Sequence, residues 1–281
     1  MVCQKVYVLY HGNCYDGFGA AFAAWKRFGE GAEYIPCSFS EGSSPLDVIP
    51  LGAEVYVVDY SFPREDLLRN VARLSKLVVL DHHATAEENL AGLDFCVFDM
   101  QRSGAMIAWN YFHPGVEPPD LIKHIQDRDL WHFKLVGTHY VHLALLAEPF
   151  NFEVWDSLDI ATMMVSGKAL AKFQAQQVES ICSRAVLMRV GPEEVPVANT
   201  SVYFSEVASR LLELYPTAKF AAYYYDLLDK NTAGWVRQWG LRSRKDFDVS
   251  VVARQFGGGG HRQAAGFHRP VVLDAGLTPS T

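Results

Sequence analysis

The residues with the greatest chemical potential in this sequence are Asp81, His82 and His83, which follow directly on the apolar run LVVL at 77–80. An apolar run without alternation predicts a strand buried on both faces, as in a parallel sheet. In open α/β sheets, ligands bind beyond the carboxyl ends of the strands, and imidazole and carboxylate groups are ligands of divalent metals. An Asp-His-His segment also occurs by chance as a helix cap, so a metal site is predicted only if other strands end in the same way.

Other predicted strands do end in metal-ligating residues. Together with the first loop, these strand ends contribute His11, Asp16, Asp59, Asp81 and His82. A helix predicted over 120–131 closes with Asp127 and Asp129, which offer a further carboxylate. A carboxylate shared by two hard cations, with His and Asp completing each shell, describes a two-metal hydrolytic site that holds phosphoryl oxygens and generates hydroxide near neutral pH. Each residue alone has a simpler explanation as a cap or a core histidine, but their recurrence at equivalent strand ends favours the metal site.

The elements that must position these residues alternate along the chain. Strands are predicted at 6–11, 33–39, 54–61, 77–80 and 94–99 and, in the last third, at 195–201, 219–227 and 234–243. The early alternation of strands with helices predicts an α/β fold with a doubly wound, mostly parallel sheet over residues 1–165. Residues 166–190 are predicted to form a helix that links this domain to a smaller C-terminal α/β domain over 191–281.

The C-terminal domain carries a second candidate site, built around the four consecutive glycines at 257–260. Glycine lets backbone amides approach an anion, and a helix predicted directly after the run would add its positive N-terminus. The residues assigned to this phosphate cradle are Gly258, Gly259, Gly260, His261 and Arg262. Arg242, at the end of the strand predicted over 234–243, is a further candidate contact, with an ordinary surface position as an equal alternative. A flexible linker is the simpler interpretation of the glycine run, but the run is short and lies between strongly patterned segments.

Composition and charge limit the kinds of partner. The chain has 281 residues and a formal net charge of −7, which argues against long duplex nucleic acid because general polyanion binders carry a basic excess. No apolar run reaches the length of a membrane helix and no basic leader precedes the first strand, so we expect a cytoplasmic protein that makes no membrane contact. The five cysteines are scattered without CxxC spacing, which predicts reduced thiols.

Taken together, these segments resemble the DHH phosphoesterase superfamily and, within it, the members with a DHH-associated C-terminal domain marked by a GGGH segment. The resemblance spans nearly the whole chain and is carried by YHGNCYDGFGAA, VYVVDYS, VVLDHHAT, IQDRDLW and LRSRKDFDVSVVARQFGGGGHRQAAGF. It implies a phosphoesterase that uses two divalent cations, Mn²⁺ or alternatively Mg²⁺, and acts on small nucleotides or short oligonucleotides. It also implies an active site in the cleft between two domains. The sequence leaves a homodimer open.

Carried over by position, the resemblance assigns the metal ligands. His11 and Asp59 would hold one cation. The ligands of the other would be Asp16, Asp59, His82 and Asp127. Asp59 would therefore bridge the two cations. A metal-bridging hydroxide would attack phosphorus, so that no protein nucleophile is required.

The resemblance also assigns substrate contacts. His83 would contact the scissile phosphate, and Asp81 would orient a ligand from outside the coordination shell. Ser103, in the polar turn before a helix, is assigned to substrate binding. The flanking phosphate or terminal nucleotide would be held by Arg242, Gly258, Gly259, Gly260, His261 and Arg262.

Two features of the pattern stay open. The family's first motif carries two acidic residues, and here Cys14 takes the first of these positions. Asn13 or Cys14 could still ligate, although a thiolate suits zinc or iron better than manganese; the alternative is that Cys14 packs behind the loop. In the fourth motif either Asp127 or Asp129 could be the ligand, and Asp127 is preferred.

Three functions fit this pattern, and the phosphoesterase is favoured. The second is a non-catalytic nucleotide-binding or sensor protein, in which Cys14 marks a degraded first metal site. The third is an inorganic pyrophosphatase, suggested by the basic SRK segment at 243–245 and disfavoured by the glycine run. The aromatic residues at 223–225, Trp235 and Trp239 could stack on a base, with core packing as the alternative.

Overall fold

The chain divides into two compact units, Met1–Ala171 and Lys172–Thr281. The computed structural model describes residues 5–38, 44–229 and 234–271. Four cysteines lie in this described part and all four are free thiols, as their scattered spacing predicts, whereas Cys3 lies outside it. The domain limits expected from the sequence, 1–165 and 191–281, stay a prediction.

The N-terminal unit is built on a five-stranded parallel sheet. Its strands are β1 (Val6–His11), β2 (Ala32–Cys37), β3 (Glu54–Val58), β4 (Lys76–Asp81) and β5 (Cys96–Phe98). Their order in the sheet is β2-β1-β3-β4-β5, so β1, β3 and β4 are neighbours at its centre. The expected parallel α/β sheet is confirmed, although the strand predicted at 33–39 ends at Cys37 and that at 94–99 is only three residues long.

Successive residues of the central strands enter two different cores, which explains why their sequences are apolar throughout. In β4, Val78 and Leu80 pack in one buried cluster while Leu77 and Val79 pack in the other. Side chains alternate between the two faces of a strand, so a strand covered on both faces needs apolar residues at every position.

Helices cover both faces of this sheet. They are α1 (Tyr15–Phe28), α2 (Arg64–Val71), α3 (Ala84–Leu90), α4 (Gly104–Phe112), α5 (Asp120–Asp129), α6 (Thr138–Leu145) and α7 (Phe152–Asp156). The start of α1 lies so close to β1 that a Cβ atom at Gly17 would come within 2.2 Å of the carbonyl oxygen of His11. Only glycine allows this approach, which fixes the first loop against the strand that precedes it.

A long helix, α8 (Ile160–Cys182), begins in the N-terminal unit and continues into the C-terminal one. It starts six residues earlier than the helix predicted over 166–190 and ends at Cys182. The last residues of the predicted range form β6 (Val186–Val190) instead. That part of the linker prediction is wrong, since the β-branched ends of β6 pair with the next strand. Within the described ranges, no helix combines the length and apolarity needed to cross a membrane.

The C-terminal unit contains a six-stranded mixed sheet in the order β10-β11-β9-β8-β7-β6. Its further strands are β7 (Glu193–Asn199), β8 (Phe220–Leu228), β9 (Trp235–Ser243), β10 (Gly259–His261) and β11 (Ala264–Pro270), and its helices are α9 (Phe204–Leu214) and α10 (Val249–Gln255). The strands β7 and β8 are parallel, and the other pairs are antiparallel. This confirms a separate, smaller α/β fold after α8.

The prediction of a helix directly after the glycine run is wrong. The run follows α10, which Asp248 caps by accepting a hydrogen bond from the Ser250 amide, and the glycines then enter the hairpin β10–β11. The small residues that suggested a helix start, Ala264 to Gly266, pair with β9. Pairing in the sheet outweighs the local helix preference of alanine here.

Candidate metal centre

The carboxyl ends of the three central strands meet at one edge of the N-terminal sheet. His11 is the last residue of β1, Asp59 follows β3 directly, and Asp81 is the last residue of β4. Asp59 has a left-handed backbone with φ 54°, which Asp adopts more readily than most residues. A Cβ atom at Gly104 would lie 2.5 Å from the Cβ atom of Asp59, so the start of α4 can approach this carboxylate only because residue 104 is glycine.

The donor atoms at this edge form overlapping groups, in each of which all atoms lie within 4.8 Å of one another. The groups are His11–Cys14–Asp59, Asp59–His82–His83 and Asp16–His82–Asp129. Asp59 Oδ2 lies 3.3 Å from His11 Nδ1, and Asp59 Oδ1 lies 3.1 Å from His82 Nε2. The two oxygens of Asp59 thus face two different histidines, which is the arrangement expected of a bridging carboxylate.

The remaining ligand candidates complete the second side of the group. His82 Nε2 lies 3.6 Å from Asp16 Oδ2 and 3.8 Å from Asp129 Oδ2. Asp16 is buried and accepts hydrogen bonds from the backbone amides of Gly104 and Ala105 at 2.6 and 3.1 Å. The positive N-terminus of α4 therefore fixes the position of this carboxylate.

The buried charges fit a divalent cation. Asp59 is only 1% exposed, and its Oδ1 makes no well-aligned hydrogen bond with the described residues, although His82 Nε2 lies 3.1 Å away. A buried carboxylate compensated by imidazole contacts alone is unfavourable, and a cation would satisfy it. His11, Asp16, Asp59, His82 and Asp129 thus form a set of oxygen and imidazole donors suited to divalent metals.

The pKa values of Asp16, Asp59 and His82 reflect an excess of negative charge at this site. Burial raises the pKa of Asp16 well above its ordinary value, and the neighbouring carboxylate of Asp59 adds to this. Burial also opposes ionisation of Asp59, but its contacts with His11 and His82 outweigh this and lower its pKa to about 2. Burial disfavours the charged form of His82, yet Asp59 and Asp16 raise its pKa to about 9. A bound cation would replace this proton as the compensating charge.

Asp81 does not belong to the donor groups, and it positions His83 instead. Its buried carboxylate accepts hydrogen bonds from the Ser61 hydroxyl at 2.6 Å, the His82 amide at 2.7 Å and the ring Nδ1 of His83 at 2.6 Å. The bond from Nδ1 raises the pKa of His83 and leaves Nε2 as the ring nitrogen available for another contact. A positioning role for Asp81 is thus what its surroundings support.

The structure places Asp129, rather than the preferred Asp127, beside the other donor atoms. The Asp127 carboxylate is buried and accepts hydrogen bonds from the Thr138 hydroxyl at 2.6 Å and the amides of Lys134 and Leu135 at 2.9 and 3.0 Å. Burial opposes its ionisation, but these donors hold the pKa of Asp127 below its ordinary value. Asp127 anchors the loop after α5, and Asp129, two residues later, faces His82.

Ser103 is also placed differently from its expected role in substrate binding. It is 0% exposed and caps α4, its hydroxyl accepting a hydrogen bond from the Met106 amide at 3.4 Å. Its buried hydroxyl caps the start of α4, so Ser103 supports the loop that places Gly104 beside Asp59.

The C-terminal unit contains a cavity of about 310 Å³ between strands β8, β9, β10 and β11 and the start of α9. Of the predicted substrate contacts, Arg242, Gly259 and Gly260 line it, whereas Gly258, His261 and Arg262 do not appear among its described lining residues. The expected cradle is therefore only partly assembled. Gly258 has a packing role instead, because a Cβ atom there would lie 2.1 Å from the carbonyl oxygen of Gly266.

Two residues at the C-terminal cavity could not be identified from the sequence. Phe204 lines the cavity and stacks on Tyr223 and Tyr225, and the Ser205 hydroxyl accepts a hydrogen bond from Arg242 at 3.3 Å. Nothing in their local sequence marks them, since they approach β9 only in the folded sheet.

A second overlooked feature is the aromatic pair Trp131 and Phe133, which follows Asp129. Its ring centroids lie 5.0 Å apart, and the Arg128 guanidinium lies 4.1 Å from the Trp131 ring. Trp131 is 49% exposed. The sequence signal for this surface is an aromatic pair directly after an acidic helix end.

Comparison with known proteins finds a relative in sequence. No protein-family model matches the chain. An uncharacterised protein, R106, of Acanthamoeba polyphaga mimivirus is 33% identical over 92% of this chain, which spans 66% of that protein's length.

Two solved structures share the fold. A pGpG-specific phosphodiesterase, PggH, from Vibrio cholerae is 12% identical with a TM-score of 0.55, over 96% of this chain and 94% of that one. RecJ from Thermus thermophilus, in complex with Mn²⁺, is 16% identical with a TM-score of 0.52, over 94% of this chain and 49% of that one. At these identities the likeness establishes the fold.

Proposed function

We propose that this chain, which has the fold of the DHH superfamily, is a metal-dependent phosphoesterase acting on small nucleotides or short oligonucleotides. The observation that carries the proposal is the buried carboxylate of Asp59, whose two oxygens face His11 on one side and His82 on the other. Divalent cations bound there, Mn²⁺ or Mg²⁺, would polarise a phosphoryl group and lower the pKa of water.

The protein's own groups would position the substrate beside these ligands. His83, fixed through Nδ1 by Asp81, can direct Nε2 towards a phosphate oxygen. Such pre-oriented donors lower a barrier because they need no rearrangement during the reaction. The Mn²⁺ ion bound by RecJ supports the same class of cation in this chain.

Arg242 supports a nucleotide rather than a long polymer as the substrate. It lies in the C-terminal cavity, whose volume of about 310 Å³ is at the lower end of small-ligand sites. Tyr223, Tyr225 and Trp239 contribute aromatic surface to the same cavity, which suits a base or ribose beside the phosphate. The net charge of −7 also disfavours long nucleic acid.

Arg242→Gln should therefore raise KM for a dinucleotide by roughly ten- to a hundred-fold, because a charged hydrogen bond contributes about 1.5–3 kcal/mol, while kcat changes little. The measurement is steady-state kinetics with a dinucleotide. Arg237→Gln is the matched control, since Arg237 lies on the same strand but pairs with Asp226. Equal KM values for both variants would remove Arg242 from the substrate site.

The exposed pair of Trp131 and Phe133 supports a substrate with a base. Asp127 holds the loop in place through the hydrogen bonds of its carboxylate and through its carbonyl oxygen, which accepts from the His132 and Phe133 amides at 2.9 and 3.3 Å. Because this loop begins two residues after Asp129, its aromatic surface belongs to the same end of α5 as the metal centre.

Trp131→Leu should raise KM for a dinucleotide by about ten-fold, since stacking of one base on an aromatic side chain contributes about 1–3 kcal/mol. Leucine keeps an apolar side chain at the position. Hydrolysis of a substrate without a base should be unchanged in the same variant. Phe173→Leu, which alters an exposed aromatic residue on α8, serves as the control; a matching rise in KM there would show an unspecific effect.

The proposed function is tested by product release from the metal-stripped chain supplied with Mn²⁺ or Mg²⁺. The substrates are dinucleotides, short oligonucleotides, bisphosphonucleotides and pyrophosphate. We expect turnover of a nucleotide class. Nucleotide binding without any turnover would instead establish the sensor alternative, which Cys14 in the first donor group favours.

An inorganic pyrophosphatase is less well supported. In the basic segment at 243–245, the Arg244 guanidinium donates to the carbonyl oxygens of Leu212, Pro216 and Ala218. Arg244 therefore caps the C-terminal end of α9. Because its guanidinium makes these bonds, it does not serve as the phosphate-binding arginine that a pyrophosphatase would need in this segment.

A further inference from the structure

Cys14 lies among atoms that can ligate a metal. Its Sγ is 3.8 Å from Asp59 Oδ2, and His11 Nδ1 is 3.3 Å from the same oxygen. Cys14 occupies the N-cap position of α1, yet its side chain makes no capping hydrogen bond. The thiol thus lies beside the Asp59 carboxylate and the first-turn amides of Asp16 and Gly17.

The backbone holds this position firmly. Asn13 has a left-handed φ of 55°, and the Gly12 amide donates to the Cys37 carbonyl oxygen at 2.7 Å. On the far side, the Cys14 carbonyl oxygen accepts from the Phe18 amide at 2.9 Å. A thiol fixed from both sides is pre-organised as a ligand.

The surroundings of Cys14 differ from those of the buried thiols. The Sγ atoms of Cys37 and Cys182 each lie 3.7 Å from a backbone carbonyl oxygen, that of Ile35 and of Val207 respectively. These are ordinary contacts of buried cysteine. Cys14 Sγ instead faces Oδ2 of a carboxylate that is only 1% exposed and that His11 Nδ1 also contacts, so three donor atoms converge there.

A thiol that binds a metal loses its proton. Ligation at Cys14 would therefore release the S–H proton.

We propose that Cys14 binds the cation of the His11–Cys14–Asp59 group as a thiolate. This inference deepens the proposed function and rests on it. As the sulfur–metal bond forms, the S–H proton leaves to the buffer and the metal stays divalent, so no oxidant is required. A thiolate and an imidazole favour Zn²⁺, Fe²⁺ or Co²⁺, whereas the oxygen-rich Asp16–His82–Asp129 group favours Mn²⁺ or Mg²⁺. The two positions would thus select different metals.

The test is a Co²⁺ titration of the metal-stripped chain, followed by near-ultraviolet absorption. A sulfur ligand gives an intense thiolate-to-cobalt charge-transfer band. We expect this band in the unaltered chain and in the control Cys96→Ser, and its complete loss in Cys14→Ser and Cys14→Asp. Two variants are used so that a folding defect in one does not decide the result.

Metal competition gives a second readout. With equal concentrations of Zn²⁺ and Mn²⁺, the unaltered chain should retain Zn²⁺ at one position. Cys14→Ser should lower the Zn²⁺ affinity by at least on the order of a hundred-fold. Loss of a residue that only hydrogen-bonds a metal ligand already lowers metal affinity by up to about that factor, and loss of a ligand costs more. Cys14→Asp should shift the position towards Mn²⁺.

The outcomes separate this inference from the proposed function, because absorption is read without substrate. Cobalt binding without the band, a band that persists in both Cys14 variants, or no cobalt binding would overturn the thiolate ligand even if the chain hydrolyses nucleotides. A band that depends on Cys14 in a chain without turnover would support the ligand and overturn the phosphoesterase.

Discussion

Asp59→Asn is expected to lower turnover of the nucleotide substrate by about a thousand-fold or more, equivalent to about 4 kcal/mol in the barrier. The substitution keeps the shape of the side chain but removes the charge that faces both His11 and His82. Asparagine also tolerates the left-handed φ of 54° at this position, so the loss should not come from misfolding. The measurement is kcat at saturating Mn²⁺.

The control for this variant is Asp94→Asn, which changes a carboxylate in the turn before β5. It should keep full turnover. In the unaltered chain and the control, Mn²⁺ should raise the midpoint of thermal unfolding because it binds only the folded state, and this rise should be much smaller in Asp59→Asn. Turnover within a few-fold of normal in a folded Asp59→Asn chain would remove Asp59 from the catalytic centre.

Asp129→Asn and Asp127→Asn should fail in different ways, although the two residues are two positions apart. Asp129→Asn is expected to lower turnover by about a hundred-fold, or about 2.7 kcal/mol, and to raise the Mn²⁺ concentration that gives half-maximal activity. Its stability should change little, because the Asp129 carboxylate is partly exposed and faces His82. The measurements are Mn²⁺-dependent kinetics and thermal unfolding.

Asp127→Asn is expected instead to lower the free energy of unfolding by about 2–3 kcal/mol, since an amide N–H₂ would face the donors that its carboxylate now accepts. The folded pKa of Asp127 lies below the ordinary value, so its stabilisation is present above about pH 4 and is lost as the pH falls through the folded pKa. The variant should therefore show a weaker loss of stability in acid. If Asp127→Asn proved stable but inactive, and Asp129→Asn fully active, the assignment of the two residues would be reversed.

The parallel sheet and the metal-ligating residues at its carboxyl edge could be predicted because each is marked by neighbouring residues in the sequence. Strands β1, β3 and β4 are apolar over most of their length, since both faces are covered. Polar residues that follow such strands stand out, and parallel neighbours bring their ends together without further information. His11, Asp59 and His82 are identified in this way.

The errors arise where a distant segment decides the outcome. Helix spacing cannot distinguish Asp127 from Asp129, because the choice depends on residues 134–138 folding back onto one of the two carboxylates. Ser103 appears polar and accessible in sequence, but α4 packs so closely on Asp59 that its cap is buried. The residues after the glycine run form β11 because β9 is available for pairing.

Anomalous diffraction from crystals soaked in Mn²⁺ and in Zn²⁺ tests most directly whether Asp59 is shared between two cations. We expect two peaks roughly 3.5–4 Å apart, one on the side of His11 and Cys14 and one on the side of Asp16, His82 and Asp129, with the Asp59 carboxylate between them. A single peak that does not contact Asp59, or no peak at this edge of the sheet, would contradict it.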